Sequence, residues 1–295
     1  MIPFVRDIRF EYGQVDQVSP LIRRVVADNP GAFTYTGTGT YIIGAGEVAV
    51  IDPGPDLDAH LEAILAATKG ERIAAILTTH THADHSPLAR PLAERTGARI
   101  YGRPAPGAGA AEIRVEEDDD GLFRPDETVA DGWTIEGPGW RLEALATPGH
   151  ASNHVCYALP QENALFSGDH VMGWSTTVIS QPDGDMTAYY DSLDKVAARD
   201  FAVLWPTHGP PITEVAPFLG AYKAHRLDRE RQILEQIAEG RHRIRDMVPV
   251  MYAGVDARLH PAAMGSVLSH LIHLTRQGVT ASEGEPSLDS PFRLV

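Results

Sequence analysis

Apolar and polar positions follow two rhythms along this chain. Short apolar runs bounded by Gly and Pro predict strands, whereas apolar residues recurring every three or four positions predict helices. Leu21 to Val26 reads as a first strand. After a Gly- and Pro-containing loop from Asn29 to Thr40, Tyr41 to Ile43 and Glu47 to Asp52 flank Gly44-Ala45-Gly46, a hairpin signal. Leu61, Ile64 and Leu65 share a helical face within Asp58 to Lys69, and Gly70 ends that helix. The uninterrupted apolar run from Ile73 to Thr79 predicts a strand covered on both faces. Helix and strand recur at Ser86 to Thr96 and Ala98 to Tyr101, followed by strands at Trp140 to Leu145, Val155 to Leu159, Ala164 to Phe166 and Val203 to Pro206. Phe218 to Glu239 predicts a long charged helix, with Leu227, Ile233, Leu234 and Ile237 apolar and Arg229, Glu230 and Arg231 on view. Two further helices, Ile244 to Tyr252 and Pro261 to Gln277, and a short strand within Ser287 to Val295 close the chain in a winged-helix-like order.

The 295 residues suffice for one large domain with a small appendage, divided here into residues 1–220 and 221–295. Met1 to Val15 is too charged for a signal peptide, and no run reaches the length of a membrane span, so no membrane partner is expected. Cys156 is the only cysteine, which excludes an internal disulfide framework and fits a reducing, cytoplasmic setting. Its apolar neighbours predict core packing rather than a nucleophile.

The formal charge of −15 argues against loose, salt-driven contact with nucleic acid, and DNA is not an expected partner. Fifteen Lys or Arg stand against thirty-one Asp or Glu in residues 1–220, but ten against nine beyond, so the acidity belongs to the large domain. The run Glu116 to Asp120, following the Gly-, Pro- and Ala-rich stretch 102–111, reads as a solvated loop.

One short stretch changes the picture. Thr79-His80-Thr81-His82-Ala83-Asp84-His85-Ser86 puts three imidazoles and a carboxylate within six residues, the ligand types that zinc and similar divalent ions take. On an extended backbone His80, His82 and Asp84 face one side and His85 the other; a turn between Asp84 and His85 would let the loop face two adjacent ions. Further donors follow predicted strands: His150 in Thr147-Pro148-Gly149-His150, Asp169 in Ser167-Gly168-Asp169-His170, and His208 after Pro206-Thr207. Asp52, at the tip of its strand, either caps a turn or holds a ligating imidazole by its second nitrogen. His154, His170, Trp174, Ser175 and Thr176 are candidates to line the pocket, with His154 and His170 equally readable as structural. His242, His260, His270 and His273 read as surface or packing residues, and Arg241, Arg243 and Arg245 as a solvated segment.

The order His-x-His-x-Asp-His, then His, Asp and His after strands, resembles the metallo-β-lactamase superfamily. Asn29-Pro30-Gly31, Gly37-x-Gly39-Thr40-Tyr41, Asp52-Pro53-Gly54, Phe166-Ser167-Gly168-Asp169 and His208-Gly209-Pro210-Pro211-Ile212 resemble its β-lactamase-like protein 2 branch, over roughly residues 20 to 290. The resemblance implies an α/β fold, an αββα sandwich with a small C-terminal winged-helix domain. It implies two divalent ions, most readily Zn2+: His80, His82 and His150 on the first, Asp84, His85 and His208 on the second, and Asp169 between them. A metal-bridging hydroxide would attack the substrate, with Asp84 as the catalytic residue that orients it and passes a proton. Thr81 and Thr207 depart from the branch, which has a bulky residue and a Gly there. The expected activity is cleavage of single-stranded RNA, with hydrolysis of a small-molecule ester, lactone or thioester as the alternative. An iron-dependent oxidase or dioxygenase and a metal-sensing DNA binder are the remaining readings.

Overall fold

The computed structural model describes residues 1–104 and 119–295. Stretch 105–118, which holds most of the Gly-, Pro- and Ala-rich segment and the first three residues of the acidic run, lies outside the described residues. Seven strands form one sheet in sequential order: β1 (Val15–Gln17), β2 (Ile22–Val26), β3 (Gly39–Ala45), β4 (Glu47–Ile51), β5 (Arg72–Leu77), β6 (Arg99–Gly102) and β7 (Glu127–Thr128). Helices α1 (Asp58–Ala67) and α2 (Ala89–Thr96) connect its parallel strands. A second sheet runs in the order β12-β11-β10-β9-β8, from β8 (Thr134–Gly137), β9 (Trp140–Ala146), β10 (Val155–Leu159), β11 (Ala164–Gly168) and β12 (Val203–Pro206). Helix α3 (Met186–Ala197) links β11 to β12. The sheet neighbours that follow one another in sequence pair directly, which keeps most connections short.

Strand alternation explains the layering. In β10, Val155, Tyr157 and Leu159 enter the core between the sheets, while Cys156 and Ala158 enter the core beneath α3 and the next helix, α4 (Val215–Ala238). In β4, Ala49 and Ile51 face the second sheet, and Val48 and Val50 pack on α1 and α2. Apolar residues at successive positions thus bury both faces, giving the αββα sandwich. Cys156 is buried, and burial pushes its thiol up to about 12, in keeping with a packing role.

The C-terminal unit has its own core, built by Ile233 and Ile237 of α4 with α5 (Ile244–Met251), α6 (His260–Arg276) and the hairpin β13 (Thr280–Ser282) with β14 (Phe292–Leu294). Position 220/221 falls inside α4, whose Phe218, Leu219 and Tyr222 pack in the sandwich before Ile233 and Ile237 enter the small core. Two expectations for this helix need correction. Leu227 is exposed, and Glu230 is buried, where its Oε1 accepts from Tyr190 Oη at 2.9 Å and lies 3.1 Å from His270 Nδ1. A charged residue between two packed units has neighbours that helical periodicity does not reveal. α3 and β13, which the pattern did not single out, complete the fold. No helix among the described residues is long and apolar enough to cross a membrane.

Candidate metal centre

The strands β4, β5, β9, β11 and β12 all end at one edge of the sandwich, and the residue groups that follow them converge there. Backbone bonds tie the two sheets together at this edge: Val155 N–H donates to Thr79 O at 2.7 Å, and Gly39 N–H to Thr207 O at 2.8 Å. All seven expected donors meet. Their ligating atoms form three groups within 4.8 Å: His80, His82 and His150; His80, His85 and Asp169; Asp84, His85 and His208.

The alternation expected for an extended motif does not hold through Asp84. A turn in which His85 N–H donates to His82 O at 3.0 Å brings Asp84 to His208, whose Nε2 lies 3.0 Å from its Oδ2. One six-residue stretch therefore serves two neighbouring groups. Thr81 accepts from Asn153 Nδ2 at 2.7 Å and donates to Asp119 Oδ1 at 3.1 Å. Asp120 Oδ2 accepts from Ser86 Oγ at 3.0 Å, and Asp120 N–H donates to Thr81 O. The described end of the acidic run, expected as a solvated loop, thus braces the histidine loop.

Asp52 is fully buried, with its backbone in the left-handed region at φ 50°, a conformation that a non-glycine residue holds only when its surroundings fix it. Its Oδ1 accepts from Thr79 N–H at 2.7 Å; its Oδ2 accepts from Thr79 Oγ1 and Thr207 Oγ1, each at 2.8 Å, and from His85 Nδ1 at 3.0 Å. Thr207 thus supplies one of the donors to Asp52. Farther out, His60 Nε2 lies 2.8 Å from Thr40 Oγ1, which donates to Asp52 O.

Other outward contacts set the remaining rings. His80 Nδ1 is 3.0 Å from Thr79 Oγ1, His150 Nδ1 2.8 Å from Val178 O, and His208 Nδ1 3.2 Å from Gly37 O. Each leaves Nε2 turned inward. His80 Nε2 and His150 Nε2 stand 2.9 and 3.1 Å from His82 Nδ1, and His208 Nε2 is 3.0 Å from Asp84 Oδ2. His85 Nε2 and Asp169 Oδ1, 3.7 Å apart, are buried without a hydrogen-bond partner among the described residues. Nitrogen lone pairs pointed at one another and orphaned buried atoms are costly unless something shared satisfies them. The donor set fits divalent ions of the zinc type.

Charge divides this cluster. Burial pushes His82 and His150 down to about 4 and holds His80 well below the ordinary range, with neighbouring imidazoles adding to the effect. Burial acts in the same direction on His85, but Asp84, Asp52 and Asp169 overcome it and push that ring up to about 10. His208 is likewise raised against its burial, by Asp169 and Asp84. For Asp84, burial disfavours the charged form, yet His85 and His208 hold its carboxyl well below the usual carboxylate range.

His154 Nε2 accepts from Asp169 N–H at 3.2 Å, and its Nδ1 is 2.9 Å from Thr147 Oγ1, so it stands behind Asp169. A Cβ at Gly168 would come within 2.6 Å of that same Nε2, at a φ of +52°, which explains a glycine before Asp169. His170 is buried and pushed down to about 3 by burial, outside the three groups. Trp174 stacks on Tyr35 with centroids 4.8 Å apart and lies against Gly209, next to His208, while Ser175 and Thr176 are half-buried. His270 and His273 pack against Glu230, and His242 Nδ1 lies 2.9 Å from Phe292 O. Arg241 pairs with Glu239, and Arg243 donates to Asp289 O. Pattern reading singled out none of Asn153, Thr177, Tyr222 or Arg226; only Thr79, beside the motif, had a positional signal.

The family model described as Metallo-beta-lactamase superfamily matches residues 35–208. The chain belongs to this superfamily. It is a metal-dependent hydrolase of the metallo-beta-lactamase superfamily, and a beta-lactamase associated winged helix domain matches residues 244–289. An atrochrysone carboxyl ACP thioesterase of Aspergillus chevalieri is 33% identical over 232 residues, 78% of this chain and 70% of that protein. A beta-lactamase-like protein 2 homolog of Caenorhabditis elegans is 30% identical over 274 residues, 90% of this chain and 88% of that one. The crystal structure of a beta-lactamase domain protein from Burkholderia ambifaria shares the fold, with a TM-score of 0.80 at 19% identity, covering 100% of this chain and 97% of that chain.

Proposed function

We propose that this metallo-beta-lactamase superfamily protein is a two-zinc hydrolase of carboxylic thioesters or esters, working in the cytoplasm. The observation that carries it is the convergence of seven donors into a neutral imidazole group and a carboxylate-rich group that share one space. His80, His82 and His150 would hold one ion and Asp84, His85 and His208 the other, with Asp169 between. When bound, such ions supply an acidified water, with a pKa of roughly 7, and positive charge for the oxygen that becomes negative.

The chain's own residues supply the rest. Asp84 would hold the attacking water through its carboxylate and take its proton, beside His208 and His85, whose Nε2 atoms lie 3.0 and 3.5 Å from its Oδ2. Asp52 keeps His85 from turning. Trp174, packed on Tyr35 beside Gly209, forms an apolar wall suited to an acyl group. Thioester hydrolysis is supported by the named activity of the Aspergillus relative and by the net charge of −15, which disfavours a polyanion. Cleavage of single-stranded RNA is the second reading, supported by the likeness to the C. elegans beta-lactamase-like protein 2 homolog along nearly the whole chain.

One assay separates them. Zinc-loaded protein and its Asp84→Asn variant are given acyl thioesters, esters and a single-stranded RNA. Turnover of thioester or ester that falls at least 100-fold in the variant is expected. RNA cleavage without acyl turnover would replace the first reading by the second, and full activity in Asp84→Asn would remove the role given to Asp84.

A further inference from the structure

Two residues that carry no donor for an ion nevertheless touch two that do. In the segment between β11 and α3, Val178 O takes the bond from His150 Nδ1 at 2.8 Å. The adjacent Thr177 Oγ1 lies 2.8 Å from Asp169 O and 3.0 Å from His170 O, sharing its proton between them. What fixes Thr177 comes from α4. Tyr222 Oη donates to Ser175 O at 2.7 Å and accepts from Thr177 N–H at 2.8 Å and, at longer range, from Met172 N–H at 3.4 Å. Arg226 Nη2 donates to Thr177 O, and its guanidinium lies 5.3 Å from the ring centroid of Tyr189, whose hydroxyl donates to His170 O. Both α4 side chains are buried, at 0% and 3% exposure, so neither serves solvent.

We propose that Tyr222 and Arg226 are positioning residues for the ion held by His80, His82 and His150, acting through Thr177 and Val178. The inference rests on the two-ion reading above. The bond from His150 Nδ1 to Val178 O orients the ring, and outer contacts of this kind typically change ion affinity by about 10–100-fold. The other ion's ligands take their outward bonds from Asp52 and Gly37, on the far side of the centre. Val178 O reaches His150 alone, whereas Thr177 also holds Asp169, which lies between the ions, so the effect falls mainly on the ion of His150 and only slightly on the other, while loss of a merely structural contact would loosen both equally.

The test is a stepwise Co(II) titration of metal-free, full-length protein, read by the visible ligand-field absorption and by competition with a chelator. His150→Ala identifies the signal of its ion. Tyr222→Phe and Arg226→Met weaken that ion at least tenfold and leave the other within about twofold. Arg226→Lys, which keeps one donor for Thr177 O, recovers most of the affinity. Tyr190→Phe, which removes a bond to Glu230 on the same helix, leaves both ions unchanged. The arginine series decides the matter if Tyr222→Phe does not fold. Two tight wild-type ions that these variants leave unchanged, or weaken equally, overturn the inference alone. A wild type that takes up fewer than two ions overturns the two-ion reading and this inference with it.

Discussion

The two halves of the centre are held by unlike means. Around His85 and His208, the buried carboxylate of Asp52 collects four donors, and Asp84, Asp52 and Asp169 together raise the basicity of His85 while Asp169 and Asp84 raise that of His208. Around His80, His82 and His150 no carboxylate bonds the rings from outside: the supports are a threonine hydroxyl and a carbonyl, with a tyrosine and an arginine behind that carbonyl. The difference shows that burial alone fixes neither ring charge nor ring position. On one side Asp84, with Asp52 and Asp169, sets the charge of His85 and Asp52 helps to place its ring, whereas on the other side burial keeps the rings neutral and hydrogen bonds place them.

The sharpest way to break this contrast is to remove Asp52. Asp52→Ala strands buried donors and an imidazole raised by charge, and it is expected to cost about 3–5 kcal/mol in urea unfolding together with the ion of His85 and His208. Retention of both ions would show that Asp52 only braces the turn.

Protons probe the same division without a substitution at Asp52. His82 and His150 titrate at about 4 in the folded chain against an ordinary 6.5, so between these values the unfolded chain binds more protons. Their contribution to the metal-free protein is whole above pH 6.5 and drains away as pH falls toward 4. His85, at about 10, behaves in reverse: its contribution is whole below pH 6.5 and is lost as pH rises through 10. Each ring gives at most about 1.4 kcal/mol per pH unit. Unfolding measured from pH 4 to 10 should therefore peak near neutrality, with His150→Ala flattening the acid limb and His85→Ala the alkaline limb. Variants that flatten the same limb would erase the distinction.

Smaller changes sharpen it. Thr177→Val, on the neutral side, is expected to cost about 1–2 kcal/mol and to loosen the ion of His150. Thr207→Val removes one of the donors to Asp52 and should cost about 1 kcal/mol, leaving the ion of His150 in place by chelator competition.

How far the chain discloses these supports depends on where they lie. Strands that bury both faces and donors that follow strand ends were legible, because spacing and residue type carry the signal together. An extended backbone would have put Asp84 with His80 and His82; the turn from His82 to His85 ends the strand rhythm, and Asp84 joins His85 and His208, the grouping that the resemblance implied. Thr81 and Thr207 stood out only as departures, and their partners Asn153 and Asp52 lie 72 and 155 residues away. Tyr222, Arg226 and Glu230 sit on a helix where polar and charged residues are common, and helical spacing does not say which of them turn inward. Asp119 and Asp120 were hidden by an acidic run whose composition suggests solvent.

Helix α4 spans 24 residues, roughly 36 Å at 1.5 Å per residue, and all of it falls in the gap between the two family matches, 35–208 and 244–289. Its first half closes the large unit and its second half founds the small one. The two units are therefore not interchangeable beads. A recombination that grafted a different tail at residue 209 would also discard the tyrosine and arginine that the larger unit relies on, so the pair is expected to be inherited as one piece.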